Sequence, residues 1–150
     1  MKKEFVPYEQ SLELKKLGFD GRCFGYFDGN CNFNFTWKGP CNFSKERFKQ
    51  SLFCDGSKAD DDLYGNPLGW TSSPTFSQAF RWFRENYDLE SSIVFHENYL
   101  YQGKTNIYET IIEKRGENSR YFFTPIEGFI TYEEAELECL KKLIEIVKSK

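Results

Sequence analysis

The sequence predicts an α+β fold: a mainly antiparallel sheet packed by three helices, with an aromatic-rich insertion between the first strand and the second helix. Three observations carry this prediction. Two segments open with the same helix-start pattern. Three consecutive runs have strand character and are separated by turn residues. The stretch 28–74 follows neither pattern, and it is dense in Asn, Gly, Asp, Ser and aromatic residues.

The first helix is read over 7–17, in "VPYEQSLELKKLGFD". Pro7 suits the first helical turn, where its missing N–H costs nothing, and Gly18 can close the helix in a left-handed conformation. "RCFGYF" (22–27) follows with strand character, and its Gly25 permits a bulge or a close approach of another group. The second and third helices, at about 75–87 and 132–148, begin with Thr75/Gln78 and Thr131/Glu134. Each pair is a capping box, in which the hydroxyl accepts from the third helical N–H and the Gln or Glu reaches back to the cap. Phe76, Phe80, Phe83 and Tyr87 form one stripe; Leu137, Leu140, Ile144 and Val147 form another, widened by Leu143 and Ile146. Glu133 and Glu134 at the start of the last helix, with Lys148 and Lys150 at its end, suit the helix dipole.

Between these helices, "SSIVFHENYLY", "KTNIYETIIE" and "SRYFFTPI" read as a meander, with turns at Gln102-Gly103 and at Arg115 to Asn118. His96 falls in strand alternation, where a hydrogen-bonded structural histidine is expected. The region 28–74 reads as a folded insertion within a single domain, 1–150, because its Phe and Trp content argues against disorder. Inside it, Ser44 can cap a short helix, "SKERFKQSLF".

Composition narrows the function. Phe, Tyr and Trp number 28, against 22 for Val, Ile and Leu together, so an aromatic residue here is ordinary core material by default. The net charge is −3 with both signs interspersed, which excludes the cationic face that duplex nucleic acid requires. No apolar run approaches a membrane span, and "MKKEFVPYEQ" has no apolar stretch behind its lysines, so a cytoplasmic protein is expected. Five cysteines without a CxxC pair, beside a single histidine, read as free thiols rather than a zinc site. "DGSKADDDLYGN" (55–66) fails the calcium-loop pattern at Ala59 and Asn66. No nucleophile elbow, P-loop, HExxH or dinucleotide motif is present, so no catalytic residue, cofactor or metal is assigned.

"EFVPYEQSLELKKLGFD", "PTFSQAFRWFRENYDL" and "TYEEAELECLKKLIEIVK" resemble the signature blocks of a family of small uncharacterised proteins. That family is encoded by bacteriophages and prophages of gut Bacteroidetes-type bacteria. The resemblance covers a little under half of the chain. It implies a phage origin, residence in the host bacterial cytoplasm, and a helix–strand–helix–strands–helix frame. It implies no activity, and it carries over no functional residue. The long 28–74 segment is a departure from the shorter members, and it is where function is expected to concentrate.

"CNFNFTWKGPCNF" (31–43) raises that expectation. As a strand it projects Phe33, Phe35 and Trp37 from one face and Asn32, Asn34 and Thr36 from the other. Phe33 and Phe35 are read as packing. Trp37 ends the strand beside Lys38, and Trp70 lies in the loop before the second helix. The candidate ligand-binding residues are therefore Trp37, Lys38, Trp70 and Arg84, with Arg22 and Arg81 as second choices. Aromatic faces stack a base and cations neutralise a phosphate. The expected function is a non-catalytic phage accessory protein that sequesters a host nucleotide immune signal. The alternatives are a protein-binding inhibitor of a host factor and a virion component, and the sequence is compatible with a homo-oligomer.

Overall fold

The computed structural model describes residues 2–28, 30–36, 40, 71–97, 106–116, 120–122 and 128–149. The short helix expected after Ser44 and the acidic loop 55–66 lie outside the described residues. So do Cys41, Cys54, Trp37, Lys38 and Trp70. The fold is α+β, with all described strand pairing antiparallel. Among the described residues the strands form two three-stranded sheets rather than one. The chain divides into two compact units, 1–78 and 79–150, with the division falling inside the second helix.

In the first unit, a 3-10 turn (Lys2–Glu4) precedes α1 (Tyr8–Lys16). Pro7 is the N-cap of α1, one position before the helix proper, with φ −60° and ψ 161°. Gly18 has φ 94°, the left-handed conformation expected beyond the helix end. The sheet has β1 (Gly25–Phe27) between β2 (Phe33–Phe35) and β3 (Thr71–Ser73). Both ends of the stretch read as an insertion therefore supply strands that pair with β1.

Register puts Gly25, Phe27, Phe33, Phe35, Thr71 and Ser73 on one face of this sheet. Phe5 covers that face, with its ring 5.0 Å from Phe33 and 6.0 Å from Phe35. Tyr8 sets its ring edge-on to Phe27 at 5.3 Å. Phe33 and Phe35 are thus packing residues.

All three residues of β3 are buried although all carry hydroxyls. Burial of a hydroxyl is costly unless it is hydrogen-bonded. Ser73 Oγ donates to the Val6 carbonyl at 2.9 Å, and Ser11 Oγ of α1 donates to the same carbonyl at 3.0 Å. The Val6 N–H donates to the Pro74 carbonyl at 2.9 Å. One peptide segment before α1 is thereby fixed to β3 and to α1 itself.

α2 (Phe76–Tyr87) starts with the complete capping box. The Gln78 N–H donates to Thr75 Oγ1 at 3.2 Å, and the Thr75 N–H donates to Gln78 Oε1 at 3.0 Å. Phe76, Ala79 and Phe83 are buried, whereas Phe80, expected at the centre of the stripe, is half-buried. The apolar stripe is rotated toward Ala79, whose small side chain gave little sign of burial.

In the second unit, β4 (Leu89–Glu97), β5 (Asn106–Lys114) and β6 (Arg120–Phe122) form the predicted meander, in the order β4-β5-β6. Phe95 is opposite Tyr108, and Ser91 is opposite Ile112. α3 (Tyr132–Lys148) packs on β5 and β4, and Thr131 Oγ1 caps it by accepting from the Glu134 N–H at 3.2 Å. Its buried residues are Ala135, Cys139, Leu140, Leu143 and Ile144. The stripe therefore centres on Cys139 and Leu143, with Leu137 and Val147 at its margins. Ile107 is also buried, and its neighbour Tyr108 forms a two-bond bridge with Phe129 at 2.9 and 3.0 Å.

Candidate functional site

Of the six candidate residues, Arg22, Arg81 and Arg84 are among the described residues. Trp37, Lys38 and Trp70 lie outside the described residues. Arg22 belongs to the first unit, where it is exposed and its carbonyl accepts from Gln78 Nε2 at 3.1 Å. Arg81 and Arg84 are on α2 in the second unit, and Arg81 is exposed.

Arg84 is engaged. Its Nε donates to Glu90 Oε2 at 2.6 Å, and Arg115 holds the other Glu90 oxygen. Burial pushes the Glu90 carboxyl up, but the hydrogen bonds from Arg115 and Arg84 outweigh it and hold the group below the usual carboxylate range. A sharp reversal at Asp88 (φ 56°) brings Glu90 back to α2. A ligand phosphate at Arg84 would have to compete with that carboxylate.

The first unit offers a more available aromatic surface at the same end of the β1–β2 ladder where Trp37 follows in sequence. Phe24 is 42 % exposed, and its ring is stacked on Phe35 at 5.9 Å and 14°. The Phe24 carbonyl accepts from the Thr36 N–H at 2.8 Å, which fixes the backbone that carries both rings. Sequence reading passed over Phe24, because in a chain this aromatic one more Phe beside a glycine carries no signal of exposure.

At the opposite end of the ladder, the turn between β1 and β2 is organised by one carboxylate. Asp28 Oδ1 accepts from the Asn30 and Asn32 N–H groups at 2.9 Å each, and Oδ2 accepts from Asn32 and Asn34 Nδ2 at 3.4 and 3.3 Å. These donors, the Asn32 N–H foremost, lower the Asp28 pKa although burial opposes them. Cys31 in this turn has φ 61° and is exposed; its thiol is hydrogen-bonded with Tyr8, which raises the Tyr8 pKa.

Two other described thiols are inert as nucleophiles near neutrality. Burial pushes Cys23 and Cys139 up to about 12, with hydrogen bonds to Ser72 and Ser91 respectively opposing the shift. His96 Nε2 is 2.9 Å from Glu109 Oε2, across the diagonal of β4 and β5. That contact is the hydrogen-bonded histidine expected from the alternation. Among the described residues no group of three His, Cys, Asp or Glu gathers to hold a metal ion. Among them also, no helix is long and apolar enough to cross a membrane.

No protein-family model, curated protein or solved structure matches the chain. Among the described residues, fold and geometry define an α+β protein with two antiparallel sheets and exposed aromatic rings at the ends of both.

Proposed function

We propose that the protein is a non-catalytic phage accessory protein that binds a host-derived nucleotide immune signal and so blunts host defence. The observation that carries this is Phe24: an exposed ring stacked on Phe35, two positions after the exposed Arg22. A base needs an open π face held in place, and a phosphate needs a cation close by; stacking contributes about 1–3 kcal/mol per base. Trp37 and Lys38, which follow Thr36 in the sequence, extend the same chemistry.

Titration calorimetry against mono-, di- and cyclic nucleotides tests the proposal. Binding by the parent should fall by about tenfold or more in Phe24→Ala and in Arg22→Gln, with little change in melting temperature. Trp37→Ala and Trp70→Ala should weaken binding in the same way. A flat titration across the panel, or a Phe24→Ala variant that binds like the parent, would overturn it.

A protein-binding inhibitor of a host factor is the second reading. It is favoured by the exposure of Phe95, Ile130 and Tyr132, all in the second unit.

A further inference from the structure

The second unit carries aromatic surface that the nucleotide reading does not use. Phe95 and Tyr108 are opposed in register on β4 and β5, with ring centroids 5.2 Å apart. Tyr132, the first residue of α3, sets its ring edge-on to Tyr108 at 5.8 Å. Phe95 is 44 % exposed and Tyr132 46 %, and Ile130, two residues before Tyr132, is 62 % exposed. Two exposed rings, joined through the half-buried Tyr108, therefore sit where α3 begins over the sheet.

Acidic groups edge this surface. Glu133 and Glu136 follow Tyr132 on α3, and Glu136, four residues on, lies one turn along the same helix face as Tyr132. Burial, and then the charge of Glu133, raise the Glu136 pKa, while the Tyr132 hydrogen bond opposes the rise. Farther along the helix two acids are ion-paired: Glu138 with Lys141 and Glu145 with Lys142. Among the described residues neither Glu133 nor Glu136 has such a cation.

We propose that Phe95, Tyr108 and Tyr132, with Glu133 and Glu136, form a docking surface for a basic, apolar-flanked segment of another protein. An arginine of that segment lies over the rings and reaches the carboxylates. The rings' negative faces and the two acids attract the same cation, and a planar guanidinium can stack and hydrogen-bond at once. A nucleotide is disfavoured because its phosphates would meet the carboxylates. A second copy of this chain is disfavoured because it brings a net charge of −3 to an acidic rim. The proposal uses second-unit residues only and deepens the protein-binding reading, on which it rests.

The test is calorimetric titration with a short peptide alternating arginine and leucine, against the same peptide with glutamine in place of arginine. The arginine peptide should bind and the glutamine peptide should not. Phe95→Ala and Glu136→Gln should each weaken binding by about tenfold. Phe95 is half-exposed and Glu136→Gln is conservative, so both variants should melt close to the parent. Equal binding of the two peptides, a flat titration, or parental affinity in either variant would overturn the proposal. A dimeric mass in solution that Phe95→Ala converts to monomer would assign the surface to self-association and would also overturn it. Phe24→Ala should leave peptide binding unchanged, and Phe95→Ala should leave nucleotide binding unchanged. Failure here is thereby distinguished from failure of the nucleotide reading. It also separates from the protein-binding reading: a host protein recovered by pull-down equally well with Phe95→Ala would keep protein binding and reject this surface.

Discussion

Gly25 and Phe5 meet so closely that no side chain fits between them. A Cβ on Gly25 would stand 2.7 Å from Phe5 Cδ1 and 2.8 Å from Phe33 Cε2. Gly25→Ala should therefore overpack the first unit and cost about 1–3 kcal/mol. Calorimetric melting should show a drop of about 2–4 °C for each kcal/mol lost. A variant that melts with the parent would mean that Phe5 can move aside.

Phe83 and Phe80 separate two roles on α2. Phe83 is fully buried, so Phe83→Ala should cost about 3–5 kcal/mol. Phe80 is half-buried, and Phe80→Ala should cost roughly half as much. Denaturant midpoints of the two variants check the order, and a larger loss at Phe80 would contradict it.

Asp28 makes the first hairpin sensitive to acid. The unfolded chain protonates this group in the ordinary aspartate range, whereas the folded protein keeps it ionised to lower pH. Its stabilisation is present above the ordinary value and is lost as pH falls through the lower folded value. Asp28→Ala should melt below the parent at neutral pH, and the gap should close in strong acid. A gap that stays constant with pH would remove the charge from the explanation.

Glu136 acts in the opposite sense. The folded protein holds its proton to higher pH than the unfolded chain does. The group favours the folded state below the ordinary glutamate value, and that contribution is lost as pH rises through the folded value. Glu136→Gln should therefore melt slightly above the parent near neutrality and level with it in acid. Solvent screening of this partly exposed group keeps the difference under about 1 kcal/mol. Melting below the parent at neutral pH would show that the carboxylate's bonds outweigh its burial and the repulsion from Glu133.

The helices were legible because their signals are local. Thr75 and Gln78, three residues apart, satisfy each other's backbone, and Thr131 caps α3 the same way. β4 and β5 were legible from their residue types and the turn residues beside them. The split into two sheets was not, since the three-residue strands β2 and β3 are selected by pairing with β1. Thr71-Ser72-Ser73 has no apolar residue at all, and its burial depends on partners such as Val6, far away in sequence. Of the candidate residues, Arg22 is exposed. The ion pair of Arg84 with Glu90 was not legible, because Glu90, on the next strand, returns to it only after the reversal at Asp88.

The order β2-β1-β3 sets a minimum length on the chain between its outer strands. β2 and β3 both run antiparallel to β1, so they are parallel to one another, and β2 ends beside Gly25 whereas β3 begins beside Phe27. The chain must cross back from one end of the sheet to the other, which takes about a dozen residues or more. The sequence from 37 to 70 far exceeds that minimum. Above it, length is inexpensive, at about 0.6 kcal/mol for each doubling of a flexible loop. A lineage could therefore shorten, lengthen or rewrite this span while both anchor strands stay paired to β1, without having to refound its fold.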